Sequence, residues 1–159
     1  MKKIRKFVAM LLTLAMCLSL AASASAKGIA APTMNLGDNI NLEIKSGPYM
    51  APRAGGYTYF YNGREECNDY TCSFPCDCSR GTGTKLDVHV DNSIGDVMLE
   101  VMIYYDNGSA GPFLVYPERA ETFTLSDNDG RYLTGSGRVV VTPSSMGDSV
   151  YWMTICLHS

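Results

Sequence analysis

Residues 97–105 read Val-Met-Leu-Glu-Val-Met-Ile-Tyr-Tyr, and every second one, Val97, Leu99, Val101, Ile103 and Tyr105, is apolar. Alternate side chains of a strand point to opposite faces, whereas a helix would scatter this file around its circumference, so the spacing predicts a β-strand with one wholly apolar face. The second file, Met98, Glu100, Met102 and Tyr104, is mixed rather than polar. A strand with that pattern belongs inside a sheet, with neighbours on both sides and a second face only partly in water. The rest of the chain must supply those neighbours.

Several stretches do. Lys85–Asp91 alternates Leu86, Val88 and Val90 against Asp87, His89 and Asp91, and the turn residues 92–96 join it to the central strand as a predicted hairpin, with Asp87 and His89 on the solvent side. Gly56–Gly63 sets Tyr57, Tyr59 and Tyr61 on one face and Thr58 and Phe60 on the other, and ends in Asn62-Gly63, a hairpin-turn dipeptide. Phe113–Tyr116, Glu121–Leu125, Gly137–Thr142 and Ser149–Leu157 carry strand patterns too, with Asp106-Asn107-Gly108, Gly111-Pro112 and Asp127–Gly130 as turns between them. No segment shows helical apolar spacing of comparable length. The class expected is all-β: a small antiparallel β-sandwich, immunoglobulin-like in architecture but without the Cys-Trp-Cys framework of antibody domains.

The N-terminus has a different character. Lys2, Lys3, Arg5 and Lys6 precede the apolar run Phe7–Leu20 and the small residues Ala24-Ser25-Ala26, the layout of a secretory signal peptide over 1–26. A membrane anchor needs roughly 20 apolar residues, so no membrane span is expected after cleavage, and Met16 before Cys17 is too bulky for a lipid-attachment site. Residues 27–55, with Pro32, Pro48, Pro52 and Gly55-Gly56 spaced along them, are expected to form a flexible Ala/Gly/Pro-rich arm holding one short strand at 39–44. Residues 56–159 would then be the β-sandwich domain, including a cysteine-rich loop at 64–84.

Charge narrows the partners. The chain has 13 basic and 16 acidic residues, and losing the four basic ones of the leader lowers the net charge from −3 to −7. Nucleic acid and anionic lipid both select clustered Lys and Arg, which are lacking here. An extracellular protein or glycan surface remains as the partner class.

Cys67, Cys72, Cys76 and Cys78 fall within twelve residues, and Cys156 lies near the C-terminus. In an exported chain this set predicts disulfides, and five cysteines leave one over. The expectation is a loop stapled by bonds among Cys67, Cys72, Cys76 and Cys78, with Cys156 closing onto it or buried as a small apolar residue. A Cys76–Cys78 bond is disfavoured by its two-residue separation. A zinc site would suit four thiolates, but structural sites bring together two knuckles from separate segments and these four crowd one. No metal and no cofactor is expected.

Catalytic chemistry has little to draw on. The only histidines are His89, on the polar file of a strand, and His158, next to last and expected to be frayed. No nucleophile motif accompanies either. Asp127-Asn128-Asp129-Gly130 lacks the glycine position and distal Glu of a calcium loop and reads as a turn. Tyrosines carry the one positive sign, because a ring with an apolar face and a polar tip suits stacking on sugars or anchoring a protein. The reading is therefore a secreted non-catalytic binding or adhesion module with Tyr57, Tyr59 and Tyr61 as its face. A small effector or inhibitor acting through the cysteine-stapled loop is the alternative, and an unrecognised enzyme the second.

Overall fold

The computed structural model describes residues 32–52, 56–68, 71–145 and 148–159. The leader 1–26, the start of the arm at 27–31, Gly55 and Tyr70 lie outside the described residues. The described residues of 32–159 form a β-sandwich of ten strands: β1 (Thr33–Asn35), β2 (Ile40–Ser46), β3 (Tyr57–Asn68), β4 (Cys72–Asp77), β5 (Lys85–Asp91), β6 (Leu99–Tyr105), β7 (Gly108–Val115), β8 (Ala120–Asp127), β9 (Ser136–Pro143) and β10 (Asp148–His158). One sheet has the order β1-β7-β6-β9-β4 and the other β2-β8-β5-β10-β3. Every neighbouring pair is antiparallel.

The strand expected at the centre is there: β6 is the middle strand of the first sheet, with Leu99, Val101, Ile103 and Tyr105 buried and Glu100, Met102 and Tyr104 half-buried. Its apolar file meets that of β5, the middle strand of the second sheet, where Leu86, Val88 and Val90 are buried. Between the sheets Phe113 of β7 stacks on Phe123 of β8 with ring centroids 4.9 Å apart. Burying each such side chain stabilises the sandwich by roughly 1.5 to 3 kcal/mol. A bulge after Val101 sets Gly111 against the β6 backbone, and a Cβ there would lie 2.6 Å from the Val101 carbonyl oxygen. With φ at +123°, only glycine fits that position comfortably.

Five sequence expectations need correcting. Gly111-Pro112 is no turn but lies inside β7. β5 and β6 are not a hairpin but consecutive strands in different sheets, because their apolar faces pack on one another rather than side by side. Asn62-Gly63 is not a turn: β3 runs through it to Asn68, held along its length by the ladder to β10. The arm carries two strands, β1 pairing with β7 and β2 with β8, each at a sheet edge. The cysteine segment is mostly strand. β3 ends in one sheet and β4 begins in the other, with a Cys67–Cys72 disulfide across that corner and Phe74, Cys76 and Cys78 buried beyond it. Closing so short a segment contributes roughly 2 kcal/mol, the low end for a disulfide.

Candidate functional site

Residues following β2 cross part of the outer face of the second sheet. After β2 ends at Ser46, Gly47, with φ at +122°, turns the backbone, and residues 48–50 fold back over β8 and β5. The strands beneath are in register, so their outward side chains form rows. One row runs Lys45, Thr122, His89, Thr154, Asn62 across β2, β8, β5, β10 and β3; the next runs Glu43, Thr124, Asp87, Cys156, Tyr59; the third runs Asn41, Ser126, Lys85, His158, Tyr57.

The centre of this face is covered. Tyr49 lies on it with its ring stacked on His89 at 5.2 Å, and its hydroxyl is buried beside the Cys156 thiol without a hydrogen-bond partner among the described residues. Beneath it Asp87, His89, Thr154 and Cys156 are all buried. Asp87 accepts hydrogen bonds from Thr124 Oγ1 at 2.7 Å and from His158 Nε2 at 3.0 Å. Thr122 Oγ1 is 2.9 Å from His89 Nδ1, and Thr154 Oγ1 donates to Asn62 Oδ1 at 3.1 Å. Asp87, His89 and Thr154 are thereby paired, which is what makes their burial tolerable.

This corrects the sequence picture of His89 as a solvent-facing residue and of His158 as frayed: the first is 4% exposed, and the second is part of β10 and bonded to Asp87. It corrects Asp87 as well, which is buried and accepts two hydrogen bonds rather than facing solvent. The polar file of β5 does alternate as expected; the strap, not the core, covers it.

Burial holds the His89 imidazole below its ordinary value, against the opposing pull of Asp91, Asp87 and Glu121. The unfolded chain therefore binds this proton first, near pH 6.5. The His89 contribution is complete above that pH and is lost as pH falls below it, by up to about 1.4 kcal/mol per pH unit. Urea melts from about pH 7 down to about pH 5 should show a steeper loss of stability in the natural chain than in His89→Asn. Parallel slopes would mean that the imidazole is not buried.

The tyrosines divide. β3 carries an extra residue, Phe60, where Ile155 faces Tyr61 while Cys156 faces Tyr59, and this bulge flips the alternation. Tyr57 and Tyr59 stand outward and exposed, edge to face at 5.3 Å. Tyr61 turns inward instead, packing on Phe74 at 4.7 Å between the sheets and donating its hydroxyl to Glu65. The single face of Tyr57, Tyr59 and Tyr61 expected from the sequence is thus a pair, and Tyr49 joins it from the far side of Cys156.

The cysteines hold one bond, Cys67–Cys72, where two were expected, and Cys76, Cys78 and Cys156 are free and buried. Burial, foremost, pushes the Cys76 thiol up to about 11 and the Cys78 thiol up to about 12. Cys156 is also raised, by burial, although Tyr49 pulls the other way. All three are protonated thiols near neutral pH. The Asp127 carboxylate, read as part of a turn, accepts the Asp129 amide at 2.8 Å.

Sequence reasoning passed over Tyr49, the one aromatic residue between Lys27 and Gly56. A Gly-Pro pair directly after a strand, followed by a lone aromatic, is the available signal for a chain turning back onto its own sheet. Comparison with protein-family models, with curated proteins and with solved structures finds no match for this chain.

Proposed function

We propose that this chain is an exported, non-catalytic binding module that holds a glycan surface with the outer face of its second sheet. The observation that carries the reading is the aromatic strip Tyr49, Tyr59, Tyr57, with Tyr57 and Tyr59 exposed and hydrogen-bonding side chains in the adjoining rows. Rings of this kind stack on the C–H faces of sugars while polar neighbours meet the hydroxyls. Tyr57 and Tyr59 stand in register with His158, Lys85 and Cys156, so polar groups able to meet hydroxyls adjoin the rings. Export is supported by the leader-like 1–26 and by the disulfide, which belongs to an oxidising compartment.

Absence of catalysis is supported by the state of the one thiol near histidines. Cys156 is raised rather than lowered, and its thiol lies against the Leu157 carbonyl and the Tyr49 hydroxyl, whereas His158 is engaged with Asp87. A nucleophilic thiol needs a base in hydrogen-bond reach or surroundings that lower its pKa. The cysteine segment is a weaker contact surface than the tyrosines, because Phe74, Cys76 and Cys78 lie in the core.

Retention on a panel of insoluble polysaccharides tests the reading. At least one should hold the protein, and Tyr57→Ser with Tyr59→Ser should weaken that retention by about 10- to 100-fold, from roughly 0.5 to 1.5 kcal/mol per ring. Melting of the double variant should match the parent, since both rings are exposed. Failure to bind any polysaccharide, or undiminished binding by the variant, would end the glycan reading.

A further inference from the structure

At the base of the strap, where it leaves β2, the outer face opens into a cleft of about 230 Å³ lined in part by Lys45, Tyr49, Met50, Asp87, Thr122 and Thr124. We infer that this cleft is a subsite for one neutral sugar ring, an inference that rests on the glycan reading above. Its volume falls below the roughly 300 Å³ where pockets for drug-sized molecules begin. One ring fits it and a chain of rings does not, so the remainder of a glycan would leave over Tyr49 toward Tyr59 and Tyr57.

The charges select against ionic ligands. Asp87 lines one side and Lys45 another, so a carboxylate is repelled by the first and an ammonium by the second. A hydroxyl is neutral and both donates and accepts, and it can satisfy the two together. Asp87 has capacity to spare: a carboxylate offers about four lone-pair sites, and Thr124 and His158 occupy two. Those two bonds also fix its rotamer, so it meets a ligand already oriented. Lys45 is held at 3.1 Å by Glu43 and keeps further N–H donors. Met50, exposed on the cleft wall beside Tyr49, supplies apolar surface for the C–H face of a ring.

Amide chemical shifts of the full domain, followed while the methyl glycosides of glucose, galactose, mannose and xylose are added, provide the test. At least one should shift Lys45, Tyr49, Asp87 and Thr122 saturably, with a Kd on the order of 1 mM. Glucosamine and glucuronate should bind at least about tenfold more weakly, and Lys45→Ala, at an exposed position, should weaken the neutral glycoside by a similar factor. Silence of these amides toward all four glycosides, or equal binding of the charged sugars, would overturn the subsite. If polysaccharide retention persists while the cleft stays silent, the subsite falls and the glycan reading stands; if retention is absent too, both fall.

Discussion

Val101→Asp is expected to leave no folded protein in water at room temperature. Val101 is wholly buried in the middle strand of its sheet, paired with Phe113 of β7 on one side and Val141 of β9 on the other. The substitution removes roughly 1.5 to 3 kcal/mol of apolar burial and adds a carboxylate with no partner, at several kcal/mol more. A domain of this size is held by roughly 5 to 15 kcal/mol in total. Glu100→Gln, one residue away on the half-buried opposite face, should change stability by about 0.5 kcal/mol at most. Circular dichroism and urea melts separate the two cases. Equal midpoints would remove Val101 from the core and with it the assignment of β6 as the central strand.

That contrast between neighbours rests on a period of two, the part of the fold most legible in the sequence. The alternation in 85–91 and 97–105 is a local property, set by how the strand backbone aims successive side chains, and it survives whatever the partners are. Partner choice is not local. Two strands with one apolar face each can lie side by side in one sheet or face each other across a core, and the same pattern serves both; β5 and β6 take the second arrangement. Asn62-Gly63 illustrates the reverse, a local turn preference overridden by a long ladder to β10.

The candidate site was less legible, for two physical reasons. The bulge at Phe60 inverts the facing of everything before it on β3, yet Thr-Tyr-Phe-Tyr offers an aromatic to either face and so gives no warning. Asp87 and His89 do lie on the polar file that their alternation predicts, but exposure depends on what lies above that file. The strap carrying Tyr49 comes from a distant part of the chain, and a stretch rich in Pro and Gly reads as a linker even when it packs. Asp87 illustrates the consequence: its strand position follows from pattern, while its bonds to Thr124 and His158 follow from strand order.

The Asn92 side chain ties down the crossing from β5 to β6, and Asn92→Asp should loosen it. Asn92 is completely buried, and its Nδ2 donates to the carbonyls of Val97 at 2.9 Å and Val115 at 3.0 Å, tying the turn to the end of β7. Its backbone carbonyl accepts from Gly95 and Glu118 as well, so two turns meet at this residue. Aspartate has nearly the same shape but replaces a double donor with an acceptor, and a carboxylate set against two carbonyls in the interior is both unpaired and repelled. The cost should be about 4 kcal/mol or more near neutral pH, against about 1 to 3 kcal/mol for each carbonyl left unsatisfied in Asn92→Ala. The pH dependence separates charge from shape. Burial and the facing carbonyls would raise the carboxyl pKa of the folded variant above the unfolded value near 3.9. Its penalty relative to the parent is therefore smallest below that pH and grows as pH rises, until the folded form can no longer hold the proton. A protonated carboxyl regains one donor, so the variant should approach Asn92→Ala in acid and fall well below it at neutral pH. Denaturant melts of the parent and both variants at about pH 4 and about pH 7 measure this. A penalty for Asn92→Asp that does not change between the two would mean that Asn92 is not the buried donor joining β5, β6 and β7.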